Sequence, residues 1–230
     1  MSNDTRQQRN EIFNSSELHQ GQQPQEQNNI PIAIAPLPSM GKIYPSGNPL
    51  HMCESVEIRA MTARDEDILT SQMLAKKGTT ITELLKSCLV DKRINVREMM
   101  IGDRNAILVA LRITGYGADY SVEIECPKCE NKQETSFNLT NLPLKQLEIS
   151  PTILGENIFD IELPVSKKRA QIRFLTGADE EDISVSMERK RKKGFEQSDL
   201  ITTRLQYSLV SVEGKTDKLE ISKHIREMRA

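Results

Sequence analysis

The sequence predicts an α+β protein in which a strand–helix–helix module is duplicated and a β-hairpin is inserted between the two copies. Three observations lead to this fold class. Short segments with period-two alternation are each followed by a segment of helical periodicity that begins with a capping residue. This combination occurs twice along the chain, with matching residues at matching places. Between the two occurrences, a Cys-x-x-Cys motif separates two further alternating segments, which is typical of a hairpin.

The first 54 residues contain two different kinds of sequence. Residues 1–30 are rich in Gln and Asn and poor in apolar residues, so they cannot bury enough surface to offset the entropy of ordering. We interpret them as a disordered arm, with an ordinary frayed terminus as the alternative. Residues 31–54 contain five prolines, which fix φ and remove backbone donors, and this predicts an extended segment. Its apolar residues, such as Ile43 and Tyr44, indicate that it lies along a surface groove.

The first α+β module is expected over residues 55–118, beginning with a strand and a capped helix. Alternation predicts the strand at Ser55–Met61. Thr62 follows as a candidate N-cap, and Asp65 in the first turn complements the helix dipole. Gly78 is a candidate for the left-handed residue that ends this helix.

Two more helices are predicted in this module. Residues 80–90 place their apolar side chains on one stripe, as expected of a helix that packs against a core. Asn95 begins a capping signature, and Asp103 is a further candidate N-cap for a helix that Gly115 and Gly117 end. The apolar stripes of the second helices of both modules and the Pro-rich segment are our candidate surfaces for contact with partner proteins.

The hairpin is predicted over residues 119–142, with strands at Tyr120–Glu125 and Glu134–Leu139. Cys126 and Cys129 lie in its turn, where two thiolates separated by two residues can hold one edge of a tetrahedral Zn²⁺. The motif therefore predicts half of a zinc-ribbon-like site. A bare hairpin turn without metal is the alternative.

A structural zinc site needs two more ligands, and the sequence contains no second Cys-x-x-Cys motif. His51 and Cys53 are the best remaining pair, because their spacing allows both to face one side of a strand. Cys88 lies in an apolar helical stripe and is more simply a buried hydrophobic residue. A thioredoxin-type redox motif is not favoured, because that motif lies between a strand and a helix.

The second module is expected over residues 143–230, and an internal repeat defines it. Residues 170–187 align with residues 56–73 without a gap, and six extra residues then precede the second matching helix. Two capped amphipathic helices can also look alike by chance, but here the matches include caps and strand ends. The aligned residues are Ile58, Arg59, Thr62, Asp65 and Glu66 with Ile172, Arg173, Thr176, Asp179 and Glu180.

The composition and the remaining motifs indicate a binding protein without catalytic chemistry. The 230 residues include 33 acidic and 31 basic ones, for a net charge of −2, which gives no electrostatic case for nucleic-acid binding. The basic run at residues 189–193 fits a solvated helix end. No motif for a catalytic nucleophile or a phosphate-binding loop is present, so we expect no catalytic or cofactor-binding residues and no small-molecule substrate.

The sequence also indicates where the protein is found. No apolar run approaches the roughly 20 residues that span a membrane, and the first twenty residues lack the apolar segment of a secretory signal. We therefore expect the protein to be made and kept in a cytoplasm, without membrane contact. Thiols stay reduced there, so the four cysteines are expected to be free thiols or metal ligands.

Four motifs in order resemble the baseplate hub family of T-even-type contractile-tailed bacteriophages, over about residues 36 to 140. That family comprises a hub subunit and a related hub-assembly protein. The motifs are LPSMGKIYP (Leu37–Pro45), IRAMTARDEDIL (Ile58–Leu69), DRNAILVALRITGYG (Asp103–Gly117) and CPKC (Cys126–Cys129).

The resemblance implies a late viral protein of tail baseplate assembly that acts through contacts with other hub and tail proteins. It implies work in the host cytoplasm, with the virion tail baseplate as a second location, and it brings no catalytic residues. An alternative from another class is a zinc-ribbon adaptor that binds nucleic acid. The slight acidic excess argues against that alternative, because such a protein should present a basic face.

Overall fold

The computed structural model describes residues 31–192 and 200–228, apart from the side chains of residues 190 and 191. Residues 1–30, where the arm is predicted, lie outside this described part. Within it, helices pack beside three small antiparallel sheets of two, two and three strands. The α+β class predicted from the sequence is confirmed.

The first segment, residues 31–117, begins with an antiparallel strand pair in which Ala33 lies opposite Ile58. Two short strands and four α-helices follow one another, and a 3₁₀ helix at Val96–Glu98 precedes the last of them. Their bounds are β1 (Ile32–Pro36), β2 (Ser55–Arg59), α1 (Ala63–Thr70), α2 (Gln72–Lys77), α3 (Thr80–Cys88) and α4 (Ile101–Tyr116).

Two details of this segment differ from the sequence prediction. The helix expected from Thr62 to Gly78 is broken at Ser71, which has extended backbone angles and caps α2 by accepting a hydrogen bond from the Leu74 amide. Asp103 does not cap a helix: it lies in the first turn of α4, which begins two residues earlier, and its carboxylate is buried. Gly78 does end α2 in the left-handed conformation, with φ of 70°.

The hairpin follows α4 directly. Its strands are β3 (Asp119–Glu125) and β4 (Lys132–Asn138), antiparallel with Val122 opposite Thr135. Only these two central residues are half-buried, and every other residue of both strands is exposed. A 3₁₀ turn and an irregular linker, residues 139–158, lead on to the second segment.

The second segment contains a three-stranded antiparallel sheet in the order β5–β6–β7. Two helices connect the second and third strands, and a last helix covers the sheet. Their bounds are β5 (Phe159–Glu162), β6 (Arg169–Ile172), α5 (Gly177–Lys192), α6 (Leu200–Ser208), β7 (Leu209–Val212) and α7 (Lys218–Glu227).

The two segments use the same strand pairings around equivalent isoleucines. In the first, Ile58 pairs with Ala33 on one side and bridges to Leu89 on the other. In the second, Ile172 pairs with Phe159 on one side and with Leu209 on the other. Each segment therefore places the residue that follows a helix, Leu89 after α3 and Leu209 after α6, beside its central strand.

The apolar core consists of a large cluster in the first segment and a smaller one in the second. Ile172 packs against both clusters and so joins them. The larger includes Leu37, Leu50, Ile58, Leu85, Cys88, Met99, Ile107, Leu111 and Phe159. The smaller consists of Leu163, Ala170, Leu209, Val212, Ile221 and Ile225.

Candidate functional site

A fully buried carboxylate, Asp103, holds the Pro-rich segment against α4. It accepts hydrogen bonds from the backbone N–H of Ser39 at 2.9 Å, from the Ser39 hydroxyl at 2.6 Å and from the Tyr44 hydroxyl at 2.6 Å. The Tyr44 hydroxyl in turn accepts from the Met100 amide at 3.0 Å. Burial raises the pKa of Asp103, and the hydrogen bonds from Ser39 and Tyr44 act against that rise.

The Pro-rich segment therefore contributes several of its residues to the interior. Leu37, Ile43 and Tyr44 are buried in the main core, so the interpretation of these residues as a partner-contact surface is wrong. Proline-rich chain can enter a core because few of its backbone N–H groups need partners. Ile32 and Ile34, which alternate with the inward-facing Ala33 and Ala35, remain exposed on the outer face of β1.

The apolar stripe of α3 is also used inside the chain. Leu84, Leu85 and Cys88 are buried in the main core, so this stripe is not available to a partner. Burial raises the pKa of the Cys88 thiol to about 11. A buried neutral thiol of this kind is a packing residue, as predicted, and not a ligand for metal.

Each segment anchors its first helix to the preceding strand through an Arg–Asp pair. Asp65 accepts two hydrogen bonds from Arg59, at 2.7 and 2.9 Å, and one from the Thr62 amide at 2.8 Å. Asp65 is fully buried, and its hydrogen bonds with Arg59 hold the pKa of its carboxyl well below the usual range.

The second segment repeats this arrangement at the aligned positions. Asp179 accepts from Arg173 at 2.9 and 2.6 Å and from the Thr176 amide at 2.8 Å. Burial opposes ionisation of Asp179, yet its contacts with Arg173 and Thr176 lower the pKa of the carboxyl. The aspartates at the two helix starts therefore do more than complement the helix dipole, which is the role that the sequence indicated: each also binds the arginine of the preceding strand.

A buried polar cluster joins the two segments. Arg104 of α4 donates to the Thr82 hydroxyl at 3.0 Å, and that hydroxyl donates to Glu181 of α5. Glu181 also accepts from Arg97 at 2.9 Å. Beside this cluster, the Gly177 amide donates to the carbonyl of Met99 at 3.0 Å. These contacts hold α5 against the first segment, and the arginine and glutamate side chains in the cluster all have hydrogen-bond partners.

The hairpin is rooted on the end of α4 but is otherwise open. Arg112 of α4 donates to the carbonyl of Gly117 at 2.8 Å and lies over the rings of Tyr116 and Tyr120, at 5.1 and 5.5 Å from their centroids. One face of the hairpin is apolar, because Tyr120, Val122 and Ile124 alternate with polar residues and Phe137 lies opposite Tyr120. Its large side chains are between 41% and 47% exposed (Tyr120, Ile124 and Phe137).

Cys126 and Cys129 lie together in the turn of the hairpin. The amides of Lys128 and Cys129 donate to the sulfur of Cys126, which lowers the pKa of that thiol. The structure does not bring His51 or Cys53 to this turn. The His51 ring nitrogen Nδ1 lies 2.6 Å from the Tyr44 carbonyl oxygen, and the Cys53 thiol donates to the Pro49 carbonyl at 3.2 Å. Among the described residues, no group of three or more His, Cys, Asp and Glu side chains could hold a metal ion.

The linker after the hairpin exposes a further set of large apolar side chains. They lie in irregular chain between the hairpin and β5, and each is at least 43% exposed. These residues are Leu142, Leu144, Ile149, Ile153 and Leu154. With the apolar face of the hairpin, they form what we call the hairpin–linker surface, defined as the exposed apolar residues of 119–154.

Residues 33–157 match the family model described as T4 bacteriophage base plate protein. This match covers more than half of the chain. The chain belongs to the T4 bacteriophage base plate protein family. No curated protein and no solved structure matches it. This baseplate protein has, within the described residues, no helix long and apolar enough to cross a membrane.

The family match has a clear position in the fold. It begins in β1, includes the Pro-rich segment, the helices of the first segment, the hairpin and the linker, and ends just before β5. The second segment lies beyond it. The buried group around Asp103 falls inside the match, whereas the group around Arg104 also includes Glu181, which lies beyond it, and sequence reasoning did not identify either group. The available signal was two adjacent charged residues at the start of an otherwise apolar helix, Asp103-Arg104.

Proposed function

We propose that this baseplate protein is a hub-type structural or assembly protein that acts by binding other tail proteins, without catalysis. The resemblance of its four motifs to the hub family supports this, together with its membership of the baseplate family. Its place of action is then the host cytoplasm during assembly, where baseplate parts associate. The hub subunit would also remain in the virion.

The observation that carries the proposal is the hairpin–linker surface. Eight of its large apolar side chains are exposed, whereas Leu37 and Tyr44 of the Pro-rich segment and Leu85 of α3 lie in the core. On the hairpin, Tyr120, Ile124 and Phe137 share one face, and exposed apolar surface of this kind commonly marks a site of protein association. The hairpin–linker surface lies inside the matched region. It is therefore our candidate for the contact with a baseplate partner.

We also propose that the second segment is a duplicate of the first. The aligned sequences, the equal strand pairings at Ile58 and Ile172, and the equal Arg–Asp anchors support this. Duplication gives one chain two related modules, which suits a protein that bridges partners. A first test is to compare crystal structures of the two segments: a different order of strand, first helix and second helix would contradict duplication.

A nucleic-acid adaptor is not favoured by the surface of the hairpin. Its polar face carries Glu123, Glu125 and Glu134 with only Lys132 to balance them. Such a face repels phosphates. Duplex binding at physiological salt should then be no tighter than about 10⁻⁴ M, the weak end of nonspecific binding. Salt-dependent submicromolar binding would reverse this conclusion.

The test of the proposed function is complementation of a phage that lacks this protein. The double variant Ile124→Ser/Phe137→Ser should fold normally, because both side chains are exposed, but should reduce phage yield at least tenfold. Baseplate intermediates should accumulate on sedimentation gradients. The matched control is Leu219→Ser, an equally apolar substitution at an 81% exposed position of α7, outside the family match. Normal yield and normal baseplates with the double variant would contradict the proposal.

The same phage preparations separate the two kinds of hub protein. Mass spectrometry of purified virions should detect a hub subunit in constant amount. An assembly factor should instead be required for baseplate formation yet be missing from virions. A protein that is dispensable for baseplates and missing from virions would contradict both versions of the proposal.

A further inference from the structure

The turn of the hairpin has the backbone of a metal-binding knuckle. The Cys126 amide donates to the Asn131 carbonyl at 3.0 Å, and the Glu130 amide donates back to the Cys126 carbonyl at 2.8 Å. Glu130 adopts a left-handed conformation, with φ of 55°, which tightens the turn. The amides of Lys128 and Cys129 point at the sulfur of Cys126. The Cys126 and Cys129 side chains also contact each other at the tip.

This knuckle supplies only two of the four ligands that tetrahedral zinc requires. The described residues contain no group of three or more potential ligands, and both His51 and Cys53 are hydrogen-bonded elsewhere. Cys88 is enclosed in the core. Two further ligands must therefore come from outside the described chain for zinc to be held.

A second copy of the chain can provide them. A two-fold axis through the metal doubles two thiolates into a Cys₄ set, which is a common structural zinc site. Cys129 is exposed and Cys126 is half-buried, and the strands on both sides of the tip are exposed, so two tips can approach without obstruction. Lys128, between the cysteines, offsets part of the thiolate charge.

The hairpin that carries the thiols has few contacts of its own with the rest of the described chain. Its apolar face, from Ile124 to Tyr120 and Phe137, is assigned above to a tail protein and stays free when two chains meet at the tips alone. A two-stranded hairpin exposed on both faces is only marginally stable alone. Metal and pairing together would supply the missing stabilisation, because metal binding adds directly to the free energy of folding.

We propose that Cys126 and Cys129 form half of a tetrahedral zinc site that the same two cysteines of a second copy complete. The zinc would join two chains at their hairpin tips. This inference does not depend on the identity of any tail protein that the chain binds.

The test measures zinc content and mass in solution for the full chain, produced with zinc and purified without chelator. Elemental analysis should give one zinc per two chains, and light scattering should give a dimer. Chelation should release zinc and return a monomer. Cobalt substitution should give the spectrum of a site with four sulfur ligands. A zinc content near zero, or one zinc per monomer, would overturn the proposal.

Variants locate the ligands. Cys126→Ser and Cys129→Ser should each abolish zinc binding and dimerisation, whereas Cys53→Ser and His51→Ala should retain both. Loss of zinc in the latter two would show a single-chain site and overturn the proposal. Circular dichroism of all four variants checks folding, and the cobalt spectrum of the unaltered chain decides the ligand set even if a variant misfolds. These measurements involve no other phage protein. The zinc proposal can therefore fail while the proposed baseplate function holds, and the baseplate function can fail while the zinc proposal holds.

Discussion

Two consecutive side chains of α4 connect it to two different parts of the chain. Asp103 accepts hydrogen bonds from the Pro-rich segment, whereas Arg104 donates to Thr82 beside Glu181 of the second segment. Successive residues of a helix point about 100° apart, so one turn can reach both neighbours. Burial lowers the pKa of Arg104, and the nearby charge of Glu181 counteracts this effect. Both buried charges are hydrogen-bonded, as their desolvation requires.

Substitution of Tyr44 by Phe tests the Asp103 cluster. The change removes a donor to the buried carboxylate and leaves the Met100 N–H without its acceptor. We expect a loss of about 2 kcal/mol in the free energy of unfolding, the usual cost of buried groups left without partners. Urea denaturation measures it. Tyr116→Phe is the control, because its hydroxyl bonds to Glu66 at the surface. Equal free energies of unfolding for the two variants would show that the Tyr44 hydroxyl does not stabilise the fold.

At the scale of elements, Arg–Asp pairs decide where α1 and α5 begin. The carboxylates of Asp65 and Asp179 satisfy the amide of the capping threonine and also bind the arginine of the preceding strand. One side chain thus caps the helix and fixes its angle to the sheet. By contrast, Ser71 caps α2 without an arginine partner, and α2 contributes no buried residue.

The substitution Asp65→Asn should remove part of the pH dependence of stability. The pKa of Asp65 is lowered in the folded state, so its stabilising effect is present above the unfolded pKa of about 4 and is lost as pH falls. We expect the free energy of unfolding of the variant to be about 2 kcal/mol lower than that of the unaltered chain at pH 7, as for a broken charged hydrogen bond. At pH 3 this difference should be smaller.

Thermal unfolding between pH 7 and pH 3 measures this difference. The control is Asp91→Asn, which removes a carboxylate from a surface pair with Arg93 and should leave the unfolding midpoint at pH 7 unchanged. If the difference in stability between Asp65→Asn and the unaltered chain stays constant from pH 7 to pH 3, the stabilising effect of Asp65 does not come from its ionisation.

At the scale of the whole molecule, a close approach at Gly177 determines how the two segments dock. A Cβ atom on Gly177 would lie 1.4 Å from Nη1 of Arg104 and 3.0 Å from the Val96 carbonyl oxygen. A side chain at this position would push the Arg104 guanidinium aside, so glycine allows the start of α5 to approach α4 with Arg104 in place. The described residues 31–192 and 200–228 belong to one compact unit, and this contact lies between its two segments.

The substitution Gly177→Ala should consequently loosen the docking. Arg104 would be displaced from Thr82, and we expect a loss of about 2 kcal/mol of stability, as for overpacking of a well-packed interior. Faster amide hydrogen exchange in α5 should accompany it. Gly115→Ala is the control, since its Cβ would meet only the terminal methyl of Met61 and alanine favours a helix. Unchanged exchange in α5 with Gly177→Ala would contradict this account.

Several local elements could be predicted from the residue pattern. Alternation predicted β2 and the hairpin strands, capping residues predicted the starts of α1 and α5, and Gly78 predicted the end of α2. These features depend on neighbours within a few residues, so they can be read from a single chain. Ser71 was missed because a break in a helix competes closely with its continuation, and tertiary packing decided between them.

Tertiary structure alone decided which surfaces are inside. The Pro-rich segment and the stripe of α3 were equally plausible as contact surfaces, because an apolar pattern shows that a face is buried but not against what. Asp103 lies 64 residues from Ser39, and Glu181 lies 99 residues from Thr82. Such pairings depend on the fold of the whole chain and leave no periodic signal in the sequence. For the same reason, the open apolar face of the hairpin became evident only from the described structure, in which Tyr120, Ile124 and Phe137 stay exposed although Arg112 of α4 lies over the Tyr120 ring.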